Sequence, residues 1–309
     1  MNAVLNQELY IFATVVTAIF LEAAPFLLLG SLVSSLIEVY FSPDRISNFV
    51  PKGRFTGLFF ALGAGMVLPT CECGVVPIVR RLLLKGVPSH VAITYMLAAP
   101  VINPIVLVST YVAFQGNIWM VIARAGLVAL SAFCTGLWLS RFNPLLALRQ
   151  EAPLNGLPAH DHGEHDCEFN HQSNGRSKLT GALLHAAWEF LDMGKYLILG
   201  CFCAGLMKTF LSDGTLSIFE NNVFLAVGAM MFLAVMLSVC SEADAFVAAS
   251  FWSFPKVAQL SFITIGPMVD LKLLFMYSAV FKKRVVLALI VIPTVIVYVA
   301  ATTLGMITG

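Results

Sequence analysis

Two short segments place reactive side chains inside apolar surroundings. In "VLPTCECGVV" (67–76), Cys71 and Cys73 flank Glu72 behind a proline, and the apolar run resumes after Gly74. In "SVCSEADA" (238–245), Cys240, Ser241, Glu242 and Asp244 interrupt a second apolar run. Thiolates are soft ligands that suit soft metals and metalloids. A carboxylate at membrane depth costs about 2.5–3.5 kcal/mol on insertion scales and usually faces an interior pathway. Thiols and carboxylates together suit exchange of a soft ion or thiol-reactive species for protons, because protons compete with the metal for both groups. The plain alternative makes the cysteines small core residues and the polar segments turns; it accounts for the thiols better than for the acids. Cys71, Cys73 and Cys240 are thus candidate soft-ion ligands, and Glu72, Glu242 and Asp244 join them as candidate substrate-binding residues.

Further ionisable groups lie in other apolar stretches. Glu22 and Asp192 are candidates for proton coupling, although Asp192 and Lys195, three apart on one helical face, also make a structural pair. Asp270 and Lys272 offer a similar pair, but a spacing of two puts them on different faces of a helix. The segments "AAPVINP" (98–104) and "GPMVD" (266–270) set prolines inside long apolar spans. Proline frees a backbone carbonyl and kinks a helix, so those carbonyls, with Asn103 and Asp270, are candidates to line a path; a kink required by packing explains them equally well. The segment "AHDHGEHDCEFNHQSNGRSK" (159–178) concentrates His160, His162, His165, Cys167 and His171. Such a set binds Zn²⁺ or Cu ions in other settings, but its spacing matches no closed zinc module, and a solvated linker is the competing reading. No other cofactor is implied.

Residues of this kind must be positioned by membrane helices. Of the 309 residues 59% are hydrophobic and 11% charged, with mean hydropathy +0.88. Soluble domains carry about a quarter charged residues, so the composition predicts an all-α polytopic membrane protein in a lipid bilayer. A net charge of +1 gives no reason to expect nucleic acid. The first apolar stretch lacks a basic leader and is expected to be retained. Seven cysteines, an odd number mostly in apolar segments, do not resemble a secreted disulfide framework. Apolar stretches run over 10–40, 88–113, 118–140, 180–211, 256–280 and 285–307, whereas 56–86 and 223–253 are each broken by one of the polar segments. A helix over 56–70 spans about 22 Å, short of the roughly 30 Å hydrocarbon core. Each broken region is therefore expected to be two half-helices joined by a polar tip, re-entrant and meeting near the bilayer midplane.

The chain also repeats. "FLEAAPFLLLGSLVSSLI" (20–37) lies over "FLDMGKYLILGCFCAGLM" (190–207) without a gap, and 167 residues separate Cys73 from Cys240, Pro88 from Pro255, Pro100 from Pro267 and Asn103 from Asp270. The expected organisation is a first membrane repeat over 8–140, a cytoplasmic His-rich linker over 141–178, and a second repeat over 179–308. Basic residues (Lys52, Arg54, Arg80, Arg81 and Lys85) flank the first broken region, and others lie in the linker and at Lys282–Arg284; placing all of them in the cytoplasm gives each half an odd number of crossings. The two repeats are then inverted, the arrangement of secondary transporters.

"PTCECGVVPIVRRLLLKGVPSHVAITYMLAAPVINPIVL", with "CSEADAFVAASF" and "GPMVDLKLL", resembles the ArsP-like (DUF318) family of predicted permeases, over nearly the whole chain apart from the extreme N-terminus and the His-rich linker. The resemblance implies a multi-pass permease of the bacterial inner membrane, not an enzyme, in a family some of whose members export trivalent organoarsenicals. Its motif positions here are Cys71, Cys73, Gly74 and Pro77, then Cys240, Ser241, Asp244 and Phe246. The linker is not part of the family pattern and points to a different substrate, such as a metal cation. The expected function is proton-coupled export of a soft metal, metalloid or organoarsenical species; transport of a sulfur-containing anion is the alternative. A membrane thiol–disulfide oxidoreductase using Cys71 and Cys73, with Cys201 and Cys203, is the rival from another class, opposed by the lack of Cys-x-x-Cys and by thiols at membrane depth. An intramembrane aspartyl protease using Asp192 and Asp244 lacks the motif context for catalysis. The expected partners are lipid, protons and a small soft substrate, with a homodimer left open.

Overall fold

The computed structural model describes residues 2–40, 50–51, 53–67, 70–141, 148, 175–210 and 222–308. These form an all-helical bundle. Before the linker come α1 (Asn2–Tyr40), α2 (Arg54–Val67), α3 (Glu72–Leu84), α4 (Ser89–Ala98), α5 (Pro104–Ala113) and α6 (Ile118–Leu139). After it come α7 (Gly175–Phe210), α8 (Val223–Leu237), α9 (Asp244–Ser250), α10 (Lys256–Ile265), α11 (Leu271–Val280) and α12 (Lys283–Thr308). An isolated antiparallel bridge joins Leu148 to Phe281.

Among the described residues three helices are long and apolar enough to cross a membrane: Phe12–Ile37 within α1, Ile118–Leu139 (α6) and Lys283–Ile307 within α12. Their outer faces carry exposed large apolar side chains such as Leu21, Leu29, Ile122, Leu130, Val291 and Val299, a surface suited to lipid rather than water. Two of the shorter helices, α4 and α10, fill the interior. Every residue of α4 is buried, and in α10 all but the first. Helix α1 packs on α7 and α3, α7 on α11, α4 on α6, and α10 on α8 and α12. Helix α3 also meets α11, α9 meets α5, and α6 meets α12.

The first polar segment separates α2 from α3 and the second separates α8 from α9, as the broken apolar runs lead one to expect. The proline-containing spans differ from expectation. Residues 88–113 and 256–280 are not kinked helices; each is two ten-residue helices with a turn between them. The physical reason lies at Asn103 and Asp270. Asn103 precedes Pro104, which disfavours helical backbone at Asn103; its φ of −131° and ψ of 152° are extended, and its side chain caps α5 by accepting from Val106 N at 2.9 Å. Asp270 is likewise extended and accepts from Leu273 N at 2.6 Å. Both residues end one backbone ladder and start another.

Two glycines let the starts of α3 and α11 sit against the long helices. A Cβ on Gly30 of α1 would land on the Gly74 carbonyl of α3, and one on Gly200 of α7 would approach Lys272 Cα of α11 to 2.5 Å. Small residues at such crossings allow close backbone approach in membrane bundles.

Candidate functional site

The first polar segment becomes the start of α3. Cys71 is extended at its N-cap, with Sγ accepting from Gly74 N at 3.3 Å, and Glu72 is the first helical residue. An acid in the first turn faces the positive end of the helix dipole. The Glu72 side chain is nonetheless wholly buried, so it needs explicit partners. It has two from the other half of the chain. Lys272 Nζ donates to Oε1 at 3.1 Å, and Ser241 Oγ donates to Oε2 at 3.3 Å. The two polar segments, 169 residues apart at these positions, therefore touch.

Lys272 is the hub. It is buried on α11, lies 3.7 Å from Cys240 Sγ and 3.5 Å from Asp270 Oδ2, and so faces a thiol and two carboxylates. The expectation that Asp270 and Lys272 lie on different helical faces is corrected here. Asp270 is not in the helix: its extended backbone turns the carboxylate back toward Nζ.

A second buried pair adjoins the first. Arg124, in the middle of α6, pairs with Asp244 at 2.6 Å at the start of α9. It also donates to Thr110 Oγ1 of α5 at 2.7 Å and to the Ser241 carbonyl at 3.3 Å. Ser241 thus bridges the pairs, its hydroxyl on Glu72 and its carbonyl on Arg124. Ser238 fixes the entry to this segment. It ends α8 in the left-handed region, φ 49°, and its Oγ accepts from Leu271 N at 3.2 Å, tying α8 to α11.

Of the sequence-predicted residues, Cys71, Glu72, Cys73, Cys240, Asp244, Asn103 and Asp270 are all buried. Glu72, Cys240, Asp244 and Asp270 converge on Lys272 and Arg124, with Cys73 in electrostatic reach of Lys272. Asn103 uses its amide locally, donating to the carbonyls of Ala99 and Pro100 as well as capping α5. Glu242 is half-buried beside the cluster. Glu22 lies exposed on α1, and Asp192 pairs with Lys195 at 2.5 Å and Arg80 at 3.7 Å. Among the described residues no three His, Cys, Asp or Glu side chains gather to hold a metal ion. His160, His162, His165, Cys167 and His171 lie outside the described residues.

Sequence reasoning missed Arg124 altogether and assigned Lys272 only to Asp270. Arg124 carried a signal: it is the one charge in the apolar run of α6, and intramembrane charges are functional or structural sites by default. Nothing local in the sequence pointed to its partner.

An apolar helical shell around a buried charge cluster defines a multi-pass membrane protein, and the family it matches makes it a permease of the bacterial inner membrane rather than an enzyme. The chain belongs to the ArsP_1 family, described as "Predicted permease", which matches residues 8–309. It is 43% identical over 283 residues to UPF0718 protein YcgR of Bacillus subtilis, covering 91% of this chain and 92% of that protein. It is 38% identical over 290 residues to a Streptococcus mutans protein named "Putative two-component membrane permease complex subunit", covering 93% of each. No solved structure matches the chain significantly.

Proposed function

We propose that the protein is a proton-coupled exporter of a soft metal, metalloid or organoarsenical species, which it takes up between the two polar segments. The observation that carries this reading is the hydrogen bond between Ser241 and Glu72 at 3.3 Å, with Cys71, Cys73 and Cys240 buried on the same two segments. Thiols supply affinity for a soft species, and Glu72, Glu242 and Asp244 supply charge that protons neutralise.

In this reading the chain is two inverted repeats, 8–140 and 179–308, joined by the linker 141–178, with the helix breaks near the bilayer midplane. Several features support it. Among the described residues, six helices precede the linker and six follow it in matching order. Asn103 and Asp270, 167 apart, cap corresponding helices, and α3 on α11 mirrors α9 on α5. Broken helices that meet around buried ionisable groups are typical of secondary transporters.

Everted membrane vesicles from cells expressing the protein test it, with trivalent organoarsenicals, Zn²⁺, Cu ions and sulfur oxyanions offered in parallel. Proton-driven accumulation of a soft species that is lost in Cys73→Ser, with normal membrane insertion, is the expected result. Equal transport by Cys71→Ser and Cys73→Ser sinks the thiol site; accumulation of a sulfur oxyanion alone replaces the substrate class. A disulfide that cycles between Cys71 and Cys73 would instead favour an oxidoreductase.

Likeness to the Streptococcus mutans relative favours action together with a second membrane subunit. Purification of the tagged chain from its own membranes should then bring down a distinct membrane protein; recovery only of copies of itself supports a homodimer instead.

A further inference from the structure

The buried cluster holds three carboxylates, Glu72, Asp244 and Asp270, against two cations, Lys272 and Arg124. Arg124 and Asp244 close on each other at 2.6 Å and balance. The surplus lies at Lys272, whose single charge is shared by Glu72 at 3.1 Å and Asp270 at 3.5 Å. A surplus charge removed from water is strongly disfavoured, and two carboxylates sharing one site hold a proton between them. The two acids are not equivalent. Both Glu72 oxygens accept hydrogen bonds. Asp270 Oδ1 accepts from Leu273 N, whereas Oδ2, buried, has no hydrogen-bond partner.

We propose that Glu72, Lys272 and Asp270 form a proton-binding site in which Asp270 Oδ2 takes up one proton from water and releases it when the site is hydrated. This rests on the transport reading for its purpose, since it seats the coupling proton at the substrate segments rather than on Glu22 or Asp192. Its existence rests on the charge count and the geometry. A hard metal cation is the wrong occupant: it takes six or more oxygen ligands and would lie against the Lys272 ammonium and the Cys240 thiol.

Helix α11 packs on α3, α7 and α12. The groups facing Asp270 and Lys272 are Glu72 and Cys73 from α3, Cys201 from α7, Cys240 from the second segment and Tyr277 of α11 itself. Glu22 acts on Cys240 from further out, and Glu242, beside the second segment, interacts with Glu72 and Lys272. Helix α12 offers only Lys283, Arg284 and Tyr298 as ionisable groups, at its start and past its middle.

Infrared difference spectra of the full-length protein in lipid nanodiscs, acidic minus alkaline and without substrate, test the site directly. The carbonyl band of a protonated carboxylic acid should grow on acidification in the wild type and be lost in Asp270→Asn. Asparagine keeps the N-cap, so α11 should still start where it does. Glu22→Gln and Asp192→Asn should retain the band. Should Asp270→Asn fail to fold, Glu72→Gln decides: it removes the surplus carboxylate, leaves Lys272 to Asp270, and should also lose the band. A band that survives in Asp270→Asn, or in Glu72→Gln, overturns the proposal, as does its absence from the wild type. Because no substrate is present, this outcome is independent of the vesicle assay: thiol-dependent export without the band sinks only the proton site, and the band without export sinks only the substrate reading.

Discussion

Arg124 shows how much a single side chain is held by its partners here. Its guanidinium is fully buried, and Asp244 is the only carboxylate that pairs with it among the described residues. Removing one member of a buried ion pair leaves an uncompensated charge and costs about 3–5 kcal/mol, whereas replacing both by apolar residues is often neutral. Asp244→Ala should therefore lower the thermal unfolding midpoint in detergent sharply, and the double variant Arg124→Met/Asp244→Leu should recover most of the loss. Additive losses in the double-mutant cycle would show that the pair is not a coupled unit. The same logic marks what a sequence reading reaches. Acids and thiols inside apolar runs stand out by themselves, so Cys71, Glu72, Cys240 and Asp244 were legible. Their counter-ions were not, because Lys272 meets Glu72 across 200 residues and Arg124 meets Asp244 across 120.

Helix boundaries were legible where composition changes and illegible where capping decides. The polar segments break α2 from α3 and α8 from α9 in plain view. The breaks at Asn103 and Asp270 look like proline kinks in the sequence, because an N-cap is recognised by backbone geometry rather than by hydropathy. What lets the starts of α3 and α11 press against the long helices is also hidden, since a glycine in a membrane helix has many uses. Gly30 of α1 and Gly200 of α7, matched in the repeat alignment, are the contact points against Gly74 and Lys272. The smallest added side chain tests them. Gly30→Ala and Gly200→Ala each force a Cβ into backbone, and overpacking of this kind costs about 1–3 kcal/mol. Gly126→Ala on α6 meets nothing within 4 Å and should be neutral or slightly stabilising, because alanine favours helix. Unfolding midpoints of the three variants in one detergent check the ordering. Gly200→Ala should in addition raise the reactivity of Cys240 toward a small thiol reagent, because it displaces Lys272 from the thiol it covers. Equal midpoints for all three would mean that the close approaches do not hold the site.

For the molecule as a whole, the linker and the basic residues decide orientation. Leu148, at the linker's start, bridges Phe281, which immediately precedes Lys282, Lys283 and Arg284. Leu148 and the last basic loop therefore lie side by side. Lysine and arginine collect on the cytoplasmic side, so this loop is expected inside, together with Arg141 and Arg149 and with Arg176 and Lys178 at the start of α7. If the linker is only a capture loop for Zn²⁺ or Cu ions, deleting 155–175 should leave vesicle transport largely intact and weaken only apparent metal affinity; complete loss in a correctly inserted protein would make it part of the pathway. Orientation itself has a sharper test. An odd number of crossings in each half puts both termini on the face opposite the linker. Single cysteines introduced at Asn2, Asp161 and Gly309, in a background where Cys134, Cys167 and Cys203 are replaced by serine, report this through a membrane-impermeant maleimide on intact cells. Residues 2 and 309 should label without permeabilisation and residue 161 only after it. The buried thiols Cys71, Cys73, Cys201 and Cys240 stay in place, and their labelling in the unmodified background sets the baseline. Labelling of the two termini from opposite sides would leave one half with an even number of crossings. The halves would then not be inverted, and two segments that meet through Glu72 and Ser241 would need an origin other than duplication.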